Sequence, residues 1–405
     1  MTTNDTKSAV LDTPAATGEA VGDAPMRASA GSPPIATDSR AAWTVSLWDE
    51  RLWKRLTLPL TLLVVVAIAL AGSVGFAMGQ FIHGGSTNGS TATQSSSSSS
   101  SSGSMNMGSS SSSGATASVP DATQPYGNQP LAYTVDPDGA KHFTMTAQQV
   151  MWSPVKGAKV LAWTLNGTVP GPMIHVTAGD KIRITIVNHL PEATSIHWHG
   201  FEVPTDTDGV PPLGQKPIQP GKSYDYSFTI LDSDAGTHWY HSHYDDLTQV
   251  GGGMYGAFIV DPRPGSAQAA LEPKVDVDQV EMISQLSGYY MINGKSFPNT
   301  QPIVVSHGQT VRLRLIGADT MFMHPMHLHG HTFNVIATDG HMLTAPYMKD
   351  TLPVAPGETY DVTFTAWAAP GSVYPFHCHI LTHLMNPGQT GSEMGGLVQL
   401  LEYKK

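Results

Sequence analysis

The chain has 405 residues, enough for two or three domains of ordinary size. Only 13% are charged, while 40 Gly and 30 Pro suit a turn-rich β protein better than helices, which both residues interrupt. The formal net charge of −11 argues against a nucleic-acid partner, whose phosphates need clustered Lys and Arg, and the lone Cys378 excludes an intrachain disulfide.

Residues 1–55 are rich in Ala, Thr, Asp and Gly without apolar periodicity and read as a disordered tail. Residues 56–81 contain no charged side chain and are long enough to cross a bilayer, which takes roughly 20 residues. Arg51, Lys54 and Arg55 stand just before this stretch, and the next Lys or Arg is Lys141. The positive-inside bias therefore predicts a single-pass anchor with a cytoplasmic tail and an extracytoplasmic bulk. The alternative is a secretory signal cleaved after Ala69-Leu70-Ala71, which exports the same bulk. Residues 82–125, nearly pure Ser from Ser95 to Ser113, read as a flexible spacer.

Strand signals follow, with apolar and polar residues alternating in short runs between turns: KVLAWTL, MIHVTA, KIRITIVN, SYDYSFTI and MYGAFIV. After Asp261-Pro262 a second set runs through PIVVSH, TVRLRLIG, FNVIAT, TYDVTFTA and LVQLLEY. The two sets look like internal copies, each carrying an Asn-Gly turn, a His-x-His, a Pro-Gly turn and a second His-x-His. They predict an all-β protein of two β-sandwich domains, 126–262 and 263–405.

The paired histidines are His197/His199 and His241/His243 in the first copy, His327/His329 and His377/His379 in the second. On a strand, residues i and i+2 share a face roughly 6–7 Å apart, so each pair offers two imidazoles side by side to metal. The copies differ at three positions together. His324, Cys378 and His383 in the second copy stand where the first has Thr194, Ser242 and Leu247. Two His and one Cys thiolate form the trigonal set of a blue copper site. Strand alternation turns the Cys378 sulfur away from His377 and His379, so copper on the sulfur is joined by a few covalent bonds to metal on the flanking imidazoles.

At these residues the sequence resembles the multicopper oxidases, the laccase-like family, through NGTVPGPMIHVTAGDKIRITIVNHLPEATSIHWHG, GTHWYHSH, HPMHLHGH and HCHILTH. Without a middle domain it looks like the two-domain laccases. The resemblance implies cupredoxin-like Greek-key sandwiches and four coppers per chain, one type 1, one type 2 and two type 3. His324, Cys378 and His383 match the type 1 ligands. His197 and His327 match the type 2 ligands, and His199, His241, His243, His329, His377 and His379 match those of the type 3 pair. The family's axial position falls here on Gly388, so Met394 is expected to supply that ligand, with Met385 as the alternative. Asp208 matches an acidic position of the family, and Asp245 and Asp246 are further candidates for a proton-relay carboxylate. The implied function is oxidation of a small reductant, a phenol or aromatic amine or a metal ion such as Cu+, Fe2+ or Mn2+, coupled to reduction of O2 to water. The implied assembly is a homotrimer. A copper nitrite reductase and a non-catalytic copper-binding or tolerance protein are the alternatives.

Overall fold

A computed structural model describes residues 118–391 and 393–405. The predicted tail, anchor and most of the spacer lie outside the described residues. Among the described residues no helix is long and apolar enough to cross a membrane.

The first half carries β1 (Thr134–Val135), β2 (Lys141–Trp152), β3 (Val160–Leu165), β4 (Ile174–Thr177), β5 (Lys181–Asn188), β6 (Ile196–His199), β7 (Ser223–Thr229), β8 (Gly236–Ser242) and β9 (Tyr255–Asp261). A single helical turn, α1 (Asp246–Gln249), joins the last two. The second half carries β10 (Val277–Leu286), β11 (Tyr289–Ile292), β12 (Ile303–Val305), β13 (Thr310–Gly317), β14 (His324–Leu328), β15 (Phe333–Thr338), β16 (His341–Lys349), β17 (Thr351–Val354), β18 (Thr359–Thr365), β19 (Val373–Cys378) and β20 (Val398–Tyr403).

These strands form four sheets, two per half, and the halves repeat one another. In one sheet of each, a parallel pair is followed by an antiparallel one: β2, β5 and β7 in the first half, β10, β13 and β18 in the second. In the other, β4, β9, β8 and β6 repeat as β12, β20, β19 and β14 with the same directions. The second half adds β15, β16 and β17. The duplication visible in the sequence is thus a duplication of topology.

Each sandwich buries the inward residues of its own two sheets: Phe143, Ile184, Trp198, Tyr226 and Phe258 in the first, Leu313, Leu328, Phe333, Phe376 and Leu401 in the second. Each such side chain contributes about 1.5–3 kcal/mol. A third cluster joins the halves, packing Trp152, Trp239 and Tyr255 with Met282, Met291 and Ile316. That is why β9 and β13 are buried almost throughout while β5 alternates.

A polar network crosses the same junction. Buried Arg314 donates to Asp278, to Asp361 Oδ2 (3.2 Å) and to Thr237 Oγ1 (2.8 Å), and Thr237 donates on to Asp361 Oδ1 (2.6 Å). Thr359 Oγ1 reaches the Thr237 carbonyl at 2.9 Å. Strand β8 of the first sandwich is so tied to β13 and β18 of the second. Gly340, at φ +81, lies against His238 of β8, where a Cβ would stand 2.3 Å from Cε1.

Three regions differ from the sequence expectation. The spacer expected to run to residue 125 is already paired near its end: Ala122 N donates to the Met151 carbonyl and Met151 N to that of Pro120. Strands β2, which buries Phe143, Met145 and Ala147 in alternation, and β16, which is mostly exposed, were not among the strand signals.

Glu281 on β10 is fully buried among amides, accepting from Asn293 Nδ2 at 2.8 Å and Gln399 Nε2 at 3.1 Å. Burial pushes its carboxyl up to about 8. An acid held protonated by the fold and ionised in the unfolded chain stabilises fully below its unfolded pKa, and this contribution is lost as pH rises through the folded value. Stability is therefore expected to fall between the ordinary 4.5 and about 8, with each pH unit worth ~1.4 kcal/mol at most. Glu281→Gln should flatten that slope in urea unfolding compared at about pH 5 and about pH 8; an unchanged slope would count against Glu281 as its source.

Candidate metal centre

The first histidine quartet is built by two paired strands. His197 on β6 stands directly opposite His241 on β8. Their rings lie 5.3 Å apart, with His199 5.5 Å from His241 and His243 5.6 Å from His197. His197, His199 and His241 can each bring a nitrogen within 4.8 Å of the others. The second quartet repeats the pattern on β14 and β19, with His327 opposite His377. There the ring separations are 5.8 Å for His327 to His377 and to His379, and 5.1 Å for His329 to His377.

The backbone orients these rings. His241 Nδ1 donates to the Ser242 carbonyl at 2.7 Å and His377 Nδ1 to that of Cys378 at 2.8 Å. His197 Nδ1 likewise reaches the Asp208 carbonyl at 2.8 Å, and His327 Nδ1 that of Asp350 at 2.7 Å. Each Nε2 is then the unprotonated nitrogen, the form that ligates metal. Burial lowers the pKa of His199 and His377 and takes His241 down to about 3, so these imidazoles stay neutral at physiological pH.

The two quartets do not meet within the chain. All ring contacts among these eight histidines fall inside one quartet or the other, among the described residues. His199 instead backs onto the Gly357 turn of the second sandwich, and a cavity of about 80 Å³ between them is lined by Trp239, Asp339 and Thr359. His329 and His379 are exposed.

Behind the second quartet lies the trio of His324, Cys378 and His383, all buried. The Cys378 sulfur faces the core, on the opposite side of β19 from His377 and His379. His383 Nδ1 is 3.6 Å from this sulfur and 3.2 Å from His324 Nδ1, so three donors converge on one point. Burial pushes the Cys378 thiol up to about 11, so a metal must displace its proton to bind. Burial and the neighbouring His324 bring His383 down to about 4. Two neutral imidazoles and one thiol fit a trigonal copper site.

In the first sandwich the equivalent space is plugged. Thr194 Oγ1 and Ser242 Oγ both donate to Oε1 of Gln249, at 2.7 and 2.6 Å, while Leu247 points outward, 74% exposed. The Gln249 amide in turn donates to Glu192 and to the Ala193 carbonyl.

Two residues beside the trio escaped the sequence reading. Asp319 Oδ2 accepts from His324 Nε2 at 3.0 Å, leaving Nδ1 to face the sulfur, while its Oδ1 receives the amides of Met321 and Phe322. Five positions before His324, it could have been found as an acid opening the loop into a ligand strand. Tyr290 lies flat on His383. Asp319→Ala should weaken copper binding at the trio by about 10–100-fold, read by titration against a competing chelator; undiminished affinity would make Asp319 a loop residue only.

The expected axial ligand, Met394, lies in the segment that follows His383. Met394 is 53% exposed on the rim of an open cavity with Leu381, Thr382 and Met385, and is absent from the buried set around Cys378. The segment from Asn386 to Gly396 closes on itself through Asn386 and Gln389, which carries Met394 outward. Met385 lines the same cavity. Met394→Leu decides the axial ligand: an unchanged visible spectrum and reduction potential of the copper-loaded protein would remove Met394 from that role.

Of the acidic candidates, Asp208 reaches His197 Nδ1 with its carboxylate at 3.3 Å as well as its carbonyl. Asp246 lies 3.9 Å from His243 Nδ1. Asp245, exposed and left-handed at φ 48, opens α1 and makes no such contact among the described residues.

Comparison with known proteins agrees with this geometry. Two family models, both described as multicopper oxidase, match residues 146–265 and 269–387. Laccase-15 of Oryza sativa subsp. japonica is 34% identical over 248 residues, covering 53% of this chain and 40% of that laccase. The chain thus spans less than half the length of that relative. Among solved structures, the blue copper oxidase from Nitrosomonas europaea superposes with a TM-score of 0.59 at 34% identity, over 65% of this chain and 85% of that one. The multicopper oxidase mgLAC gives the same TM-score at 36% identity, over 65% and 86%.

Proposed function

Because the chain belongs to the multicopper oxidase family, we propose that it oxidises a small reductant one electron at a time and reduces dioxygen to water, using four coppers per chain. The observation that carries this reading is the buried trio set back to back with a histidine pair through the single residue Cys378. In this reading His324, Cys378 and His383 hold the type 1 copper. His197 and His327 hold the type 2 copper, and His199, His241, His243, His329, His377 and His379 hold the type 3 pair. Copper bound there supplies one-electron redox change and a place for dioxygen, which no side chain offers.

The chain's own groups do the rest. Backbone carbonyls fix the ring planes of His197, His241, His327 and His377. The Cys378 backbone is the covalent path from sulfur to the flanking imidazoles. Asp208, against His197, is the carboxylate best placed to hold a proton for the oxygen chemistry, ahead of Asp246.

Separation of the quartets within one chain supports a cluster completed by a neighbouring copy, and hence a homotrimer. Sedimentation of the copper-loaded protein tests this: a fully active monomer would refute it. The same reading keeps the chain as a single-pass membrane protein with its oxidase domains outside the cytoplasm. Recovery of the mature protein in the soluble secreted fraction would favour the cleaved signal instead.

For the reductant, phenols and aromatic amines are the first reading. The thioethers of Met321 (68% exposed) and Met323 (51%), beside His324, favour cuprous ion as the second, since soft ligands suit it. The deciding experiment measures copper per chain, visible absorption and oxygen uptake on the full chain in detergent. About four coppers, a blue band and oxygen consumed with a phenol establish the oxidase. About two coppers with nitrite turned over would make it a reductase, and copper bound without turnover would make it a carrier.

A further inference from the structure

Neither imidazole of the buried trio is open to solvent: His324 is 0% and His383 3% exposed. A reductant outside the protein therefore reaches at most an edge of His383, and the electron it gives crosses a covering group. Two aromatic rings cover His383. Tyr290 lies over it nearly parallel, with centroids 3.9 Å apart and planes at 19°. Phe322 meets it edge-on at 5.5 Å and 64°. Tyr290 is also within 6.0 Å of His324 and is itself half-buried, so one ring spans from solvent to both imidazoles. Phe322, 39% exposed, borders Tyr290 at 6.4 Å.

We propose that Tyr290 is the portal through which the reductant's electron reaches His383, a face-to-face π contact replacing direct contact with a ligand histidine. This inference rests on the oxidase reading above. His324, Cys378 and His383 would hold the copper(II) that takes up the one electron the reductant gives. A phenolic reductant releases its proton to water. The Tyr290 ring forms and breaks no bond and serves only as the intervening orbital system. Its hydroxyl has no part, so the ring and not the oxygen is the functional element. Parallel overlap at 3.9 Å couples two π systems far better than an edge contact at 5.5 Å, which places Tyr290 ahead of Phe322.

The test is anaerobic stopped-flow bleaching of the blue absorption of the full copper-loaded protein by a phenol, with the absorption maximum, reduction potential and copper content recorded for each variant. Tyr290→Leu should slow bleaching about tenfold, equivalent to ~1.4 kcal/mol on the barrier, while Tyr290→Phe stays within about twofold of the parent. The band and potential should be unchanged in both. Phe322→Leu should slow bleaching less than Tyr290→Leu. Bleaching of Tyr290→Leu at the parent rate, or a larger effect at Phe322, would overturn the inference. Should Tyr290→Leu lose copper, Tyr290→Met fills the space without a ring and reads the same rate. Loss of the band in both would overturn the portal in favour of a ring that only supports the site. A parent protein without any blue band would sink the oxidase reading itself, a distinct result.

Discussion

Cys378→Ser is expected to abolish the blue absorption, lower the copper content by one ion per chain and cut oxygen uptake on the order of 10³-fold or more. The reason is placement as much as chemistry. Cys378 offers the only sulfur anion in the chain and lies in the core beside Leu328 and Phe376. Its backbone also carries the imidazoles on the other face of β19. Serine keeps the shape, so the fold and the eight paired histidines should persist. A buried hydroxyl among apolar neighbours costs about 1–3 kcal/mol if unpartnered. Copper that stays bound at the paired histidines, with the blue band gone, would isolate the loss to the trio. A Cys378→Ser protein that remained blue or kept its oxygen uptake would contradict the assignment outright.

The largest expected effect on stability is Arg314→Ala, at about 3–5 kcal/mol, because it removes the hydrogen-bonded cation from a buried carboxylate. Asp361 is buried and its pKa is already raised by that burial; Arg314 and Thr237 hydrogen-bond it, and Arg312 Nη1 stands 4.0 Å from its Oδ2. The same guanidinium reaches Thr237 on β8, four residues before His241. The variant should therefore unfold at lower urea and also loosen the register of the first sandwich against the second. Replacing Arg314 and Asp361 together by apolar residues of similar size should recover much of the loss. An Arg314→Ala protein as stable as the parent would mean that water reaches Asp361.

The histidine quartets and the trio were legible in the sequence because their logic is local. Parity along a strand fixes which side a ring or a sulfur faces, and the paired copies supplied their own alignment, from His197 with His327 to Ser242 with Cys378. What the sequence hid depends on distance in the chain. Tyr290 stacks on a residue in the turn after β19, and Asp319 acts through a turn whose geometry alternation does not encode. The axial position was hard to read for the converse reason. Counting residues past His383 ignores a loop that folds on Asn386 and Gln389 before it reaches the methionine. Strand β2 was passed over although Phe143, Met145 and Ala147 alternate with Thr144 and Thr146, and it pairs in parallel with β5.

Gln249, filling the place in the first sandwich that the trio occupies in the second, has a consequence for direction. A duplicated frame could have carried a thiolate in each half, and current could then have reached a shared cluster from either neighbour. On the proposed reading only the second half would carry a path for electrons, and the first holds a neutral amide where the ion would sit. In a ring of such chains, as proposed, each cluster would be fed from one subunit only.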